Sequence, residues 1–132
     1  MSKLDENAVA LLREPIHAWV TTVRPDGSLH NTVVWVTVDG DDVVFNTAVG
    51  RAKERHLRGN PQVSVSVLDP NDAFRFLSVS GTATLELDGA DTVIDGLAKK
   101  YLGVDTYPYR QPGEQRVTVR VVPEKVISSA GR

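Results

Sequence analysis

The chain contains no cysteine, which excludes disulfides, thiolate metal sites and cysteine nucleophiles. Long hydrophobic runs are also missing. No window approaches the roughly 18 consecutive apolar residues of a membrane span, and residues 1–13 carry Asp5, Glu6 and Asn7 where a secretory signal would be apolar. A cytoplasmic protein with no membrane contact is expected. Neither sign of charge dominates: fifteen Lys and Arg stand against seventeen Asp and Glu, a net charge of −2, which speaks against a nucleic-acid partner. There is no Gly-x-Gly-x-x-Gly after a strand, no Gly-x-x-x-x-Gly-Lys-Ser/Thr and no internal repeat. His17, His30 and His56 lie far apart, with no histidine or carboxylate four residues further along the chain, so no metal site is expected. Asp41-Asp42 and the pair Asp69 and Asp72 sit beside Gly or Pro, where Asp bonds its own turn. No Ser-His-Asp arrangement is evident, and no catalytic residue is assigned.

With 132 residues, 41% of them hydrophobic, the chain suits one domain spanning 1–132. Leu4, Val9, Leu11 and Leu12 recur at near-helical spacing before Pro15, predicting a helix that ends near Arg13 or Glu14 and packs on a sheet edge. Residues 18–23 read as a strand closed by Pro25-Asp26-Gly27, 31–38 as its return, and 42–48 as a third strand after Asp39-Gly40-Asp41, together a meander. Residues 62–68 alternate Val63, Val65 and Val67 with Ser64 and Ser66. A long strand over 74–87 should bend at Gly81, and 89–102 form a helix with Asp91 early and Lys99 and Lys100 late. In the last strand Val117, Val119 and Val121 alternate with Arg116, Thr118 and Arg120, and Pro123 marks an edge or bulge. Trp19 is assigned to the core. Six strands with about three short helices predict a mainly β domain, a six-stranded antiparallel sheet curled into a small barrel.

The segment with the most chemical content is Gly50-Arg51-Ala52-Lys53-Glu54-Arg55-His56-Leu57-Arg58, which follows the strand-like Val43-Val44-Phe45-Asn46-Thr47. It sets Arg51, Lys53, Arg55 and Arg58 at the start of a short helix, whose free N–H groups and dipole favour a phosphate. Arg51, Arg55 and Arg58 also share one face by their i, i+4, i+7 spacing, as in a solvated amphipathic helix. Both readings are open on the local pattern. A chain without a visible nucleophile, metal site or acid–base pair can still do chemistry if a cofactor supplies it.

The order of elements resembles the flavin and deazaflavin oxidoreductases with a split β-barrel, the pyridoxamine-phosphate-oxidase-like superfamily. Trp35-Val36-Thr37-Val38-Asp39-Gly40-Asp41, Phe45-Asn46-Thr47, Gly50-Arg51-Ala52-Lys53, Leu57-Arg58-Gly59-Asn60-Pro61, Lys100-Tyr101-Leu102-Gly103 and Tyr107-Pro108 are similar to the branch that uses the deazaflavin coenzyme F420. The resemblance implies an FMN-binding-type split barrel and hydride transfer from reduced F420 to an electron-poor alkene, quinone or bilin-like acceptor. It further implies that Arg51 and Lys53, with the backbone at Ala52, hold the cofactor phosphate, and that Arg55 or Arg58 helps or receives an acidic tail. Asn46 and Thr47 would lie beside the ring, and the backbone of Val33, Val34 and Trp35 would face its pyrimidine edge. Trp35 is equally suited to the core. A homodimer is implied, with the cofactor in a groove between subunits to which the Ser-lined strand and the loop at Tyr107 and Tyr109 could contribute. Tyr101, Tyr107, Tyr109 and His30 are candidates for a proton donor. The alternatives are an oxidase or electron carrier built on flavin mononucleotide (FMN), or a protein that stores the cofactor without turnover.

Overall fold

The computed structural model describes residues 4–129. Its elements are α1 (Glu6–Arg13), β1 (Ala18–Val23), β2 (Leu29–Val34), β3 (Val36–Asp39), β4 (Asp42–Ala48), α2 (Ala52–Gly59), β5 (Gln62–Asp69), β6 (Asp72–Glu86), α3 (Ala90–Leu102) and β7 (Arg116–Ser128). The predicted mainly β class with three helices holds, but the sheet has seven strands, in the order β2-β1-β5-β6-β7-β4-β3 with every neighbour antiparallel. The extra strand comes from the segment 31–38, expected as one run. It breaks at Trp35: β2 pairs with β1, whereas β3 pairs with β4 at the far end of the sheet. The predicted meander is therefore two hairpins. Because a single residue joins the two outermost strands, the sheet must curl until its edges meet at that corner, which produces the split barrel.

The turn between β1 and β2 follows its sequence. Gly27 adopts φ 86°, its N–H donates to Arg24 O at 2.9 Å, and Asp26 accepts the Ser28 N–H at 2.9 Å. At α1, Asp5 caps the helix by accepting the Ala8 N–H at 2.8 Å. This helix touches β3, an edge strand, but also β5 and β6. Its Ala8, Leu11 and Leu12, with Leu4 just before it, join Val20, Val36, Phe45, Val65, Val79, Val119 and Val121 in one core, so α1 plugs the barrel as well as covering an edge.

The bend expected at Gly81 is a register shift in the β6–β7 pairing: Ser80 faces Lys125 but Gly81 faces Pro123, so the ladder skips Glu124. The glycine is required there, since a Cβ would lie 1.9 Å from Val122 O. Trp19 corrects the sequence reading. It is 53% exposed, because β1 turns its smaller residues Ala18, Val20 and Thr22 inward and the tryptophan outward. Bulk suggested the core, but strand alternation decided the face. Among the described residues no helix is long and apolar enough to cross a membrane.

Candidate functional site

Gly50, at φ 89°, turns the chain out of β4 and directs α2 back across the barrel. Arg51 is the N-cap residue of α2 and supplies no side-chain cap, so the first-turn N–H groups stay directed outward from the helix start. The structure sends the four basic side chains to three places. Arg51 and Lys53 line a cavity of about 230 Å³. Arg55 lines a separate cleft with Arg24 and His56, and Arg58 Nε binds Glu54 Oε2 at 2.5 Å. Glu54 is itself buried and accepts the Gly50 N–H at 2.8 Å, so it ties the helix start to the strand end. Ala52 is half-buried at the first helical position.

The cavity also brings together Val33, Val34 and Trp35 from the corner between β2 and β3, and Asn46 and Thr47 from β4. All of these were picked from the sequence. Lys53 Nζ donates to Thr32 Oγ1 at 2.9 Å, and burial, then the Arg51 charge, holds its pKa below the usual lysine value. Trp35 lies in the cavity wall, stacked on Tyr101 with centroids 5.3 Å apart and edge-on to Tyr107 at 6.0 Å. Tyr101 is held in place: its hydroxyl donates to Ile16 O at 2.6 Å and accepts the Val36 N–H at 3.0 Å, and burial raises its pKa. Of the four residues weighed as proton donors, Tyr107 and Tyr109 line the cavity, whereas Tyr101 and His30 do not.

Four residues of the site were not found from the sequence. Ile94 and Leu97, from α3, line the cavity, and so does Arg116, the first residue of β7. Arg116 is buried, and its guanidinium lies 5.1 Å from the Tyr107 ring centroid. Glu114 joins the network by binding Arg51 at 2.8 Å and Arg116 at 2.9 Å. Nothing in the sequence sets Arg116 apart from Arg120, which alternates with the same valines. On sequence alone Arg116 is only the polar partner in an alternating pattern.

His30 and His56 sit behind Lys53 with ring centroids 5.0 Å apart, although 26 positions separate them in sequence. Thr22 Oγ1 and His56 Nδ1 are 2.9 Å apart. Burial and the nearby Arg24 hold both imidazoles below the usual histidine pKa, with Lys53 adding to this. Among the described residues no group of three or more His, Cys, Asp or Glu could hold a metal.

The cavity thus joins an aromatic wall to a cationic helix start. A sequence model of the pyridoxamine 5'-phosphate oxidase family matches residues 4–130. The chain belongs to that family. Within this wider similarity, an F420H(2)-dependent biliverdin reductase from Mycobacterium tuberculosis is 28% identical over 129 residues, covering 98% of this chain and 90% of that protein. A solved F420 reductase superposes with a TM-score of 0.81 at 29% identity, covering 94% of this chain and 98% of its own. A family-related FMN binding protein from Nostoc punctiforme shares the fold at a TM-score of 0.63 and 17% identity, covering 85% of this chain and 72% of its own.

Proposed function

We propose that this family member is an F420-dependent reductase that passes hydride from the reduced deazaflavin to an electron-poor conjugated acceptor, such as an activated alkene, a quinone or a bilin-like molecule. The observation that carries this reading is the single cavity in which Trp35 and Tyr107 meet Arg51 and Lys53 at the start of α2. It offers an aromatic wall for a tricyclic ring and a cationic end for a phosphate. The two relatives named for F420 support the deazaflavin over a flavin.

The residues present fit such a cofactor. Arg51, Lys53 and the α2 N–H groups would hold its phosphate. Because among the described residues β2 pairs only with β1, the backbone polar groups on its other side are free of ladder bonds there, and the segment at Val33 and Val34 can offer them to a pyrimidine edge. Asn46 and Thr47 would lie under the ring. When bound, the coenzyme supplies the hydride. The protein's part is to hold ring and acceptor in register, to exclude water, and to leave the Tyr107 and Tyr109 hydroxyls at the cavity as proton sources.

The same reading makes the protein a homodimer with its site between subunits. One chain encloses about 230 Å³, below the ~300–1,000 Å³ of drug-sized ligand sites. A second wall is needed. Val33 belongs both to the cavity and to an exposed apolar face, where it pairs across the strands with Trp19. A partner covering Trp19 would therefore also close the cavity.

Titration of the purified protein with oxidised F420 and, in parallel, with FMN, followed by fluorescence at fixed salt, tests the cofactor. Preference for F420, then oxidation of reduced F420 on adding an acceptor from a panel of enones, quinones and bilins, is the expected result. Preference for FMN would move the protein to the oxidase or electron-carrier class. Tight F420 binding with no turnover on any acceptor would make it a store.

A further inference from the structure

Glu114 places a carboxylate behind the cationic end of the cavity, on the two arginines Arg51 and Arg116 that line it. Its side chain is only 6% exposed, with Oε2 on Arg51 Nη2 at 2.8 Å and Oε1 on Arg116 Nη1 at 2.9 Å. The backbone fixes it there, since the Glu114 N–H donates to Gln111 O at 3.1 Å and the next residue accepts the Val49 N–H at 2.9 Å. Arg51 is thus half-exposed and faces the cavity while already sharing its charge with an internal anion. A ligand oxygen bound by Arg51 would stand one guanidinium away from this carboxylate. Every negative charge on that ligand is attracted by Arg51 and Lys53 and repelled by Glu114, so the carboxylate opposes a doubly charged ligand more than a singly charged one.

Resting on the phosphate site proposed above, we propose that Glu114 is a specificity-determining residue that favours a singly charged phosphate diester over a doubly charged phosphate monoester. The distinction has direct chemical meaning for the two candidate cofactors: the deazaflavin coenzyme carries its phosphate as a diester, and FMN carries a monoester. A monoester takes its second charge with a pKa of about 6. Repulsion of that charge by a carboxylate about 6 Å away, at an effective dielectric between protein and water, amounts to about a tenfold change in affinity. Arg51 and Lys53 attract both ligands. Glu114 separates them.

The test is calorimetric titration of the wild-type protein, Glu114→Gln and Glu114→Asp with F420 and with FMN at pH 8 and pH 5, at one ionic strength. At pH 8 Glu114→Gln should strengthen FMN binding about tenfold relative to F420. At pH 5, where the monoester has lost its second charge, that relative gain should shrink to about twofold or less. Glu114→Asp keeps the charge and should keep the wild-type ratio. If Gln fails to fold, Glu114→Ala removes the same charge and carries the same expectation. A preference ratio that stays the same in the charge-removing variant at both pH values would overturn the inference while leaving the phosphate site intact. Wild-type protein that binds neither cofactor would instead overturn the phosphate site, and the inference with it.

Discussion

Arg116 Nε donates to Asn46 Oδ1 at 2.8 Å, and Asn46 Nδ2 in turn donates to Ala90 O at 2.9 Å. One buried guanidinium therefore fixes which way the Asn46 amide points. Through that amide, β7 is tied to β4 and to the first residue of α3, the helix that supplies Ile94 and Leu97 to the cavity.

Removing this guanidinium should harm both fold and site. Arg116→Met leaves Asn46 Oδ1 and one Glu114 oxygen without their buried partner, and breaking a buried pair on one side costs about 3–5 kcal/mol. Because Glu114 keeps Arg51, the lower end is expected, about 3 kcal/mol of unfolding free energy, measured by urea titration. A loss below about 0.5 kcal/mol, the scale of an ordinary surface substitution, would show the network to be energetically idle.

Arg51 and Lys53 should behave differently. Arg51 is half-exposed and Lys53 contributes one bond to Thr32, so neither holds the core. Arg51→Ala and Lys53→Ala are each expected to weaken F420 binding about tenfold or more, the loss of one charge-assisted contact to phosphate, with the melting temperature within about 2–3 °C of wild type. Unchanged affinity in both variants would sink the phosphate assignment.

Much of the architecture was legible because strand alternation and turn chemistry are local. Val63, Val65 and Val67 point inward as their spacing requires, and the bulge opposite Gly81 and Pro123 lies where those residues forbid a regular ladder. The break at Trp35 was not legible. Residues 31–38 contain no Gly or Pro, and the split arises from pairing with opposite ends of the sheet, which is information held by β1 and β4. At the site, the contiguous runs 33–35, 46–47 and 51–53 could be read together from the family resemblance. Arg116 and Glu114 could not, because they reach Arg51 and Asn46 across more than 60 positions of sequence.

Lys100 gives a pH signature. Its Nζ donates to Leu12 O at 2.5 Å and to Val36 O at 2.6 Å, joining the end of α1 to the corner beside Trp35, and burial lowers its pKa to about 8. A lysine with a lowered folded-state pKa binds fewer protons folded than unfolded, so its unfavourable contribution is full below about pH 8 and vanishes above 10.5. The unfolding free energy of wild type relative to Lys100→Met should therefore rise between pH 8 and 10.5. A flat or falling difference in denaturant titrations across that window would contradict the burial of this charge.

Gly81 and Gly96 form a matched pair of probes. A methyl at Gly81 would lie 1.9 Å from Val122 O, whereas at Gly96 in α3 it meets nothing within 4 Å. Gly81→Ala must shift the bulge and should cost about 3 kcal/mol or more, while Gly96→Ala should stabilise by up to about 1 kcal/mol through helix propensity. Comparable thermal shifts in the two variants would mean that the bulge adapts freely.

The exposed Trp19 supplies the last prediction, because it separates assembly from folding. Trp19 is 53% exposed and its cross-strand neighbour Val33 is 46% exposed, while Leu68 is exposed two positions along β5 from Ser66, the other partner of Trp19. Large exposed apolar side chains paired on an outer sheet face are a common mark of an interaction surface. With Val33 also lining the cavity, cofactor affinity and self-association should be linked. Trp19→Glu places a charge on that face and removes nothing from the core, so the fold should persist by circular dichroism. Sedimentation velocity should show wild type as a dimer and the variant shifted toward monomer, with F420 binding weakened by about tenfold or more as the second wall is lost. A variant that stays dimeric would place the interface elsewhere on the barrel. A monomer that still binds F420 at wild-type strength would mean that one chain builds the whole site.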